Sequence, residues 1–405
     1  MAIKDINALS FGAGTVGRHL QANSSGAMAF NGVLSVAGNL QADSGGGAVT
    51  QGAAGTLTVG GTTLLTAGAA GNITLNNVGN DFGGEVRIVS GNSVTLRDAN
   101  ALTFGNGGAS TVSGNLAVTS AGAITQTRPL SVGGTATFAP GAGNNVTLLD
   151  AANDFGGIAF TNGASATMND ANGVVFGTTS VTTLDINAGG TVSQSGVVSA
   201  TTLTADLTGA GSALNFNTAS NAVTNLAVSG GKGINAPGGF RLTNGAVGIT
   251  AQGLVSTTDA PILVSTSGLF QNAGTSAFVA GGGDITVISS QLAINSTAAP
   301  GVFQTSGTLL MRPVTAAADM SFGGAGAAYN LIPVEVARVV GGVTGTITWG
   351  EQGFSTGILT IAGALPFGNL TANLNAGSIT DGGTVRTVAA RNLNLSAATG
   401  TIGSA

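Results

Sequence analysis

Three aspartates, Asp150, Asp154 and Asp170, are the residues of this chain that come nearest to a catalytic arrangement. Asp170 follows the other two at sequence offsets of 20 (170 − 150) and 16 (170 − 154), so all three would lie on neighbouring turns of a solenoid with turns of that length. Paired carboxylates supply the acid and the base of glycoside hydrolysis, a chemistry that β-helices host. A β-helical polysaccharide lyase or glycoside hydrolase is therefore one hypothesis, although no Lys or Arg lies between Arg128 and Lys232 to assist.

The same aspartates belong to a 73-residue repeat (153 − 80), which gives them a structural interpretation. Asn80–Gly84 recurs letter for letter as Asn153–Gly157, and Asp98–Gly105 returns in related form as Asp170–Gly177 and, earlier, as Asp5–Gly12. Asp and Asn at such places cap turns by accepting backbone hydrogen bonds. A catalytic site is expected once in a chain and not in every copy. The repeat therefore favours turn residues, and we predict a non-enzymatic protein without catalytic residues.

The other candidates for chemistry lack the partners that their chemistry needs. His19 is the only His, and no Ser or Cys stands beside it to act as a nucleophile. Gly281–Ile285 is similar to part of a calcium-binding nonapeptide, but the tandem pattern is absent. Thr-x-Thr pairs, such as Thr346 with Thr348, do not recur in register as an ice-binding face requires. Since the chain also has no Cys, we expect no cofactor and no metal site.

Composition argues against several classes of protein. Gly contributes 69 of the 405 residues, but without a Gly-X-Y period there is no collagen helix. A hydrophobic content of 43% with only 7% charged residues argues against disorder. The 11 Lys and Arg residues are scattered and the net charge is −5, so nucleic acid is not an expected partner. Polar residues interrupt the uncharged stretches 207–231 and 285–311, which argues against membrane insertion by this segment.

Short alternating apolar runs predict strands and not helices. Val94–Leu96, Leu102–Phe104 and Leu116–Val118 alternate apolar and small or polar residues, which is the period of a half-buried strand. Pairs rich in Gly and Asn separate these runs and mark turns. A repeat of this kind buries its apolar face only against the next copy. It therefore favours an all-β, single-stranded parallel β-helix over a sandwich, with about four rungs of roughly 18 residues in each copy. The predicted inward-facing aromatic residues, stacked between copies, are Phe82, Phe104, Phe155 and Phe176.

The distribution of the repeats along the chain predicts three segments. Residues 1–308 are β-helix repeats, with a similarity between copies that decays after about residue 200. Residues 309–350 form an irregular excursion, in which Pro333 at a first helical position predicts a short helix. Residues 351–405 continue the coils.

Tyr329 and Trp349, the only Tyr and Trp, both fall within this excursion. Large amphipathic side chains anchor many protein interfaces, so the two residues are possible partner contacts. The alternative is a pair of buried residues that cover the end of the coils.

Several phrases of the sequence resemble a known family. They are Asn80–Gly84, VTLRDANALTFG at residues 94–105, LAVTSAGAITQ at residues 116–126 and the long segment at residues 309–340. All are similar to the passenger repeats of filamentous-haemagglutinin-type large exoproteins, which belong to the two-partner secretion systems of Gram-negative bacteria. Related repeats occur in autotransporter passengers, and the similarity covers nearly the whole chain.

This resemblance implies a right-handed parallel β-helix, secreted or held at the cell surface of a Gram-negative bacterium in association with the outer membrane. It implies a role as an adhesin or as a stalk that carries another domain. The implied partners are an outer-membrane transporter during secretion and a host-cell or glycan receptor. Residues Met1–Asp5 lack the apolar core of a signal peptide, so we expect a segment of a longer exoprotein.

Overall fold

The computed structural model describes residues 1–228, 230–324, 327, 329–382 and 388–403. The chain divides into two compact units, residues 1–190 (unit 1) and residues 191–405 (unit 2). Each unit is a parallel β-solenoid, because the strands described pair in parallel with strands that lie about one coil away in sequence. Alternate residues of a strand point inward, as in Val94–Asp98, where every second side chain is buried. The predicted all-β parallel solenoid is confirmed.

Unit 1 consists of short strands separated by glycine-rich and asparagine-rich corners. In chain order, strands β1 to β24 are Ala2–Asp5, Leu9–Phe11, Gly14–Val16, Leu20–Ser24, Met28–Phe30, Leu34–Val36, Leu40–Asp43, Val49–Gln51, Leu57–Val59, Thr63–Thr66, Ile73–Leu75, Asp81–Phe82, Val86–Ser90, Val94–Asp98, Leu102–Phe104, Ser110–Val112, Leu116–Ser120, Ile124–Gln126, Leu130–Ala139, Val146–Leu148, Asp154–Phe160, Ser165–Asp170, Val174–Phe176 and Thr179–Ala188.

Each of the first coils of unit 1 contributes one strand to each of three ladders. The first ladder contains β1, β4, β7 and β10, the second β2, β5, β8 and β11, and the third β3, β6, β9 and β12. Within unit 1, the sequence offset between paired residues ranges from 18 (104 − 86) to 24 (73 − 49). The predicted rung of roughly 18 residues is therefore too short for most coils, because corners such as residues 44–48 and 67–72 lengthen them.

The 73-residue repeat does not contain a whole number of coils. Three coils lead from Ile73 to Ala136 within one ladder. The repeat counterpart of Ile73 is Val146, which lies beyond Ala136 at a sequence offset of 10 (146 − 136) and pairs with Ile124 in another ladder. One repeat therefore advances by three coils and one further face of the solenoid. The prediction that repeated residues stack on one another is wrong for this reason.

Aromatic and aliphatic side chains fill the interior of unit 1. The predicted inward-facing phenylalanines are all buried, with Phe82 exposed by 2% and Phe104, Phe155 and Phe176 by 0%. Phe155 packs edge-on against Phe138, with 6.3 Å between the ring centroids. Burial of each such side chain stabilises the fold by about 1.5 to 3 kcal/mol. The four inward positions are confirmed, although Phe82 and Phe155 lie in different ladders.

Unit 2 is built in the same way, and its described residues contain one helix, α1, at Pro333–Val340. In chain order, strands β25 to β47 are Val192–Gln194, Val198–Leu207, Ala213–Leu226, Ile234–Asn235, Gly239–Asn244, Ile249–Ala251, Leu254–Ser256, Ile262–Thr266, Leu269–Asn272, Ala277–Gly281, Ile285–Ser289, Gln291–Ile294, Phe303–Thr305, Thr308–Pro313, Met320–Phe322, Tyr329–Leu331, Thr346–Trp349, Ile358–Ile361, Leu365–Pro366, Thr371–Ala376, Ser378–Thr380, Val388–Ala389 and Asn392–Ala397.

The irregular segment of unit 2 is an insertion between two paired strands. Thr308–Pro313 is still part of the coils, because it pairs with Ile285–Ser289 on one side and with Thr346–Trp349 on the other. Between them the chain forms β39, β40 and α1, so the predicted short helix is confirmed. In α1 the Glu335 carboxylate accepts a hydrogen bond from the Ile332 N–H at 2.9 Å, which caps the first turn. Among the residues described, no helix is long and apolar enough to span a membrane.

Candidate functional site

Asp170, the most buried of the three candidate aspartates, holds two coils of unit 1 together. Its Oδ2 accepts the Phe155 N–H at 2.8 Å and its Oδ1 accepts the Asn172 N–H at 2.9 Å. Asp98, 2% exposed, makes the equivalent two bonds in the preceding copy, at 3.0 and 2.7 Å. Burial raises the pKa of both carboxyls above its ordinary value, and their backbone hydrogen bonds oppose this rise only in part.

The other two candidate aspartates also make local hydrogen bonds. Asp150 Oδ1 accepts the Ala152 N–H at 3.0 Å, which forms a turn, and Asp154 Oδ1 accepts the side-chain amide of Asn172 at 3.2 Å. The negative charge of Asp154 lies near enough to Asp170 to raise the pKa of the Asp170 carboxyl further. Throughout the described ranges, no three His, Cys, Asp or Glu residues are grouped so as to hold a metal ion. The positions of these carboxylates favour the turn interpretation over a catalytic pair.

A pair of amide side chains that was not predicted from the sequence, and whose Asn is buried, recurs once in each of three copies. In every pair, Gln and Asn exchange two hydrogen bonds of 2.6 to 3.0 Å, and the Asn Oδ1 also accepts a backbone N–H. The three Asn side chains are at most 1% exposed. The pairs are Gln51 with Asn80, Gln126 with Asn153, and Gln194 with Asn221.

The sequence offset between Gln and Asn was the signal that could have revealed these pairs, since it is 29 in the first copy and 27 in the next two. Asn221 lacks the recognisable motif, because Ala222 and Val223 replace the Asp and Phe that follow Asn in the earlier copies. The residue of unit 2 that is equivalent to Asp98 also differs, and it is Asn244. In unit 2, Asn244 accepts the Val223 N–H at 3.2 Å and donates to the Val223 carbonyl at 2.6 Å, so this corner carries no charge.

His19 and the glycine-rich segment 281–285 also lie at corners. His19 is exposed, and its Nδ1 accepts the N–H of Asn39 from the next coil at 2.9 Å. Asp284 Oδ1 accepts the Thr308 N–H at 2.7 Å in the same manner. These geometries favour corner links over a general base or a calcium ligand.

Tyr329 and Trp349 lie inside unit 2. They are exposed by 0% and 1%, and their ring centroids are 5.1 Å apart. Phe322 completes the cluster, 4.3 Å from Trp349. Burial raises the pKa of the Tyr329 hydroxyl. Because neither side chain reaches the surface, their burial does not support contact with a partner, which stays a prediction.

The outer face of the strand that carries Trp349 borders a groove of about 540 Å³. We call it the outer groove and define it by six of its lining residues: Thr348, Glu351, Gln352, Asn373, Asn375 and Asn394. Thr348, Asn373 and Asn394 occupy successive rungs in register. Asn394 Nδ2 donates to Asn373 Oδ1 at 2.8 Å, and Asn373 Nδ2 donates to Thr348 Oγ1 at 3.2 Å.

The wall of the outer groove contains a neutralised acid. Glu351 Oε2 lies 2.6 Å from the Nε of Arg312. The Arg312 guanidinium also lies over the Phe354 ring, 4.1 Å from its centroid. Asn375, which is 8% exposed, donates from Nδ2 to the Gly350 carbonyl at 3.2 Å. This bond connects Asn375 to the segment that carries Glu351.

Comparison with known proteins bears on the repeats. Neither the curated proteins nor the solved structures gave a match to this chain. A family described as repeats of unknown function (DUF5649) matches residues 1–50, 29–89, 91–162 and 163–230, which together make up more than half of the 405 residues. These matches cover the copies in which the Asn and Gln pairs occur. The chain belongs to this family of repeats of unknown function, DUF5649.

Proposed function

We propose that the chain is a non-enzymatic segment of a secreted or cell-surface bacterial exoprotein, which serves in attachment or as a rigid stalk. The observation that carries this proposal is the use made of the buried polar side chains. The Asn and Gln pairs and the corner aspartates form hydrogen bonds that connect neighbouring coils. Such an arrangement supports a stiff scaffold whose contacts with other molecules are made on its outer surface.

Two further features of the chain support export. The sequence resembles filamentous-haemagglutinin-type exoproteins in the phrases at residues 94–105 and 116–126. The absence of Cys suits a chain that crosses an oxidising compartment before it folds. The proposed partners are an outer-membrane transporter during secretion and a host-cell or glycan receptor.

The test of location uses the bacterium that produces the protein. Antibodies against the purified chain are applied to intact and to permeabilised cells, and the culture medium is assayed in parallel. Labelling of intact cells, or recovery from the medium, is the expected result. Labelling that requires permeabilisation would overturn the proposal.

The test of function measures adhesion and catalysis on the same preparation. Fluorescently labelled chain is added to cultured epithelial cells, and retention after washing is the result expected for attachment. A chain that is exported but not retained acts as a stalk. The same preparation is incubated with polysaccharides, and release of new reducing ends or of unsaturated products would contradict the non-enzymatic assignment.

A further inference from the structure

We propose that the outer groove of unit 2 binds a neutral oligosaccharide. The proposal rests on the attachment function argued above, and it names the ligand class and the site. It is carried by the hydroxyl and amide groups that parallel pairing places on successive rungs, namely those of Thr348, Asn373 and Asn394.

The chemistry of these side chains fits a sugar. A hydroxyl and a primary amide each offer both a donor and an acceptor, as vicinal sugar hydroxyls do. The chain of hydrogen bonds from Asn394 through Asn373 to Thr348 has a direction. In this chain of hydrogen bonds the Thr348 hydroxyl oxygen is an acceptor, so its proton is available for donation to a ligand. The Asn394 amide nitrogen is a donor, so the Asn394 Oδ1 is available to accept a hydrogen bond from a ligand. The groove thus offers a donor on one rung and an acceptor two rungs away.

The dimensions of the groove are also suitable. Adjacent rungs of a parallel sheet lie about 4.8 Å apart, which is close to the length of one pyranose unit in an extended chain. The volume of about 540 Å³ falls within the usual range of ligand sites, roughly 300 to 1,000 Å³. A saccharide lying across the rungs would therefore meet a new polar side chain at about each sugar unit.

The charge of the groove favours a neutral ligand. Among the described lining residues the only charged group is Glu351, and Arg312 neutralises it. A phosphorylated or sulfated chain would meet no cation free to pair with it here, and a basic peptide would have to displace Arg312. Nucleic acid is disfavoured for the same reason.

The polar groups are held in place before any ligand arrives. Thr348 and Asn373 stand on paired strands, and the amide hydrogen bonds fix their side-chain rotamers. The Glu351 wall is held by Arg312 and by the bond from Asn375 to Gly350. Binding therefore orders few side chains, which lowers its entropic cost.

The test removes the polar groups and keeps the approximate shape of each side chain. In the full chain, Thr348→Val is combined with Asn373→Leu. The control combines Thr147→Val with Asn169→Leu, which makes the same changes on outward-facing residues of unit 1. Calorimetry measures binding of neutral linear hexasaccharides derived from chitin, cellulose and mannan, and of a sulfated heparin-derived hexasaccharide.

We expect at least one neutral hexasaccharide to bind the unaltered chain, and the groove variant to raise its Kd about tenfold, the equivalent of about 1.4 kcal/mol. The control variant should bind as the unaltered chain does. The proposal is overturned if no neutral hexasaccharide binds, if the groove variant binds equally well, or if only the sulfated one binds.

Adhesion of the same variants to epithelial cells separates this proposal from the attachment function. Adhesion that survives in the groove variant, together with unchanged saccharide binding, overturns the site and leaves attachment standing. Saccharide binding without any cell adhesion by the unaltered chain overturns attachment and leaves the site standing.

Discussion

Gln126 and Asn153 hold each other through two reciprocal hydrogen bonds between their side-chain amides, at 2.8 and 2.9 Å. Asn153 is 0% exposed, and its Oδ1 also accepts the Leu130 N–H at 2.9 Å. Its Nδ2 donates in addition to the Leu148 carbonyl at 3.2 Å. One side chain therefore satisfies polar groups that come from several coils, and water does not reach this position to replace it.

The replacement Asn153→Ala should destabilise unit 1 by about 3 kcal/mol, because the Leu130 N–H would be left buried without its acceptor and the half-buried Gln126 amide would lose both of its bonds to Asn153. Urea unfolding and hydrogen exchange at the Leu130 amide measure the effect. Asn23→Ala is the control, since Asn23 is an outward-facing side chain of strand β4 whose loss should cost about 0.5 kcal/mol or less. Equal losses in the two variants would show that the amide pair has no special weight.

Stability should also depend on pH through the buried corner aspartates. Burial raises the pKa of Asp170 above its ordinary value of 3.8, so the folded chain keeps this proton to a higher pH than the unfolded chain does. The stabilisation by the protonated form is complete below the ordinary pKa, and it is lost as pH rises through the raised pKa of the folded state. Asp98 acts in the same direction.

The measurement compares urea unfolding of the unaltered chain and of Asp170→Asn, from a pH below the ordinary pKa of 3.8 to a pH above the raised pKa of the folded state. The neutral variant has no proton to lose at this corner, so its unfolding free energy should fall less with rising pH. Its absolute stability should be lower, because the amide nitrogen of the variant would face one of the two backbone N–H groups that the carboxyl oxygens of Asp170 accept. Parallel pH profiles for the two chains would refute the burial argument.

In unit 2, Glu335 of helix α1 takes the place of a strand partner. Its carboxylate accepts the Ile294 N–H at 2.8 Å, and Arg338 donates to the Ile294 carbonyl at 2.7 Å. A hydrogen bond to a charged group contributes about 1.5 to 3 kcal/mol. Glu335→Ala should therefore release α1 from strand β36 and speed hydrogen exchange at the Ile294 amide at least about tenfold.

Glu351→Ala is the matched control for Glu335→Ala. It removes a carboxylate that is 44% exposed and paired with Arg312, and such surface pairs contribute only about 0 to 1 kcal/mol. If both variants leave exchange at Ile294 unchanged, the helix is held by its apolar contacts and not by this carboxylate.

The fold class could be predicted from the sequence because it depends on local signals. Alternation in runs such as Val94–Leu96 and the exact return of Asn80–Gly84 require short strands and stacking. The length of a coil depends instead on how many residues each corner absorbs, and corner length leaves no mark on the apolar pattern. The 73-residue repeat (153 − 80) therefore predicted stacking of Phe82 on Phe155, although the two lie on different faces.

The outer groove was beyond prediction for the same physical reason. Thr348 and Asn373 stand at a sequence offset of 25, and Asn373 and Asn394 at an offset of 21. Only the register of the strands shows that the three side chains form one column. Trp349 stands directly beside Thr348 in the sequence, but its side chain points inward and that of Thr348 points outward.

Trp349 should report on the integrity of unit 2. It is the only Trp of the chain, it is 1% exposed, and it packs against Tyr329 and Phe322. Trp349→Ala should destabilise unit 2 by about 3 to 5 kcal/mol, as is usual when a large buried aromatic side chain is removed. Ile358→Ala, at a side chain that is 45% exposed, should cost about 0.5 kcal/mol or less.

The fluorescence of Trp349 decides whether this residue contacts a partner directly. In the folded chain the indole is shielded by the coils, so acrylamide should quench its emission only weakly, and strongly after unfolding in urea. Addition of a saturating hexasaccharide should leave the quenching constant unchanged, since a ligand in the outer groove meets Thr348 on the opposite face of the strand. Strong quenching in the native chain that a bound partner reduces would instead place Trp349 in the interface, and it would support the predicted role of Trp349 as a partner contact.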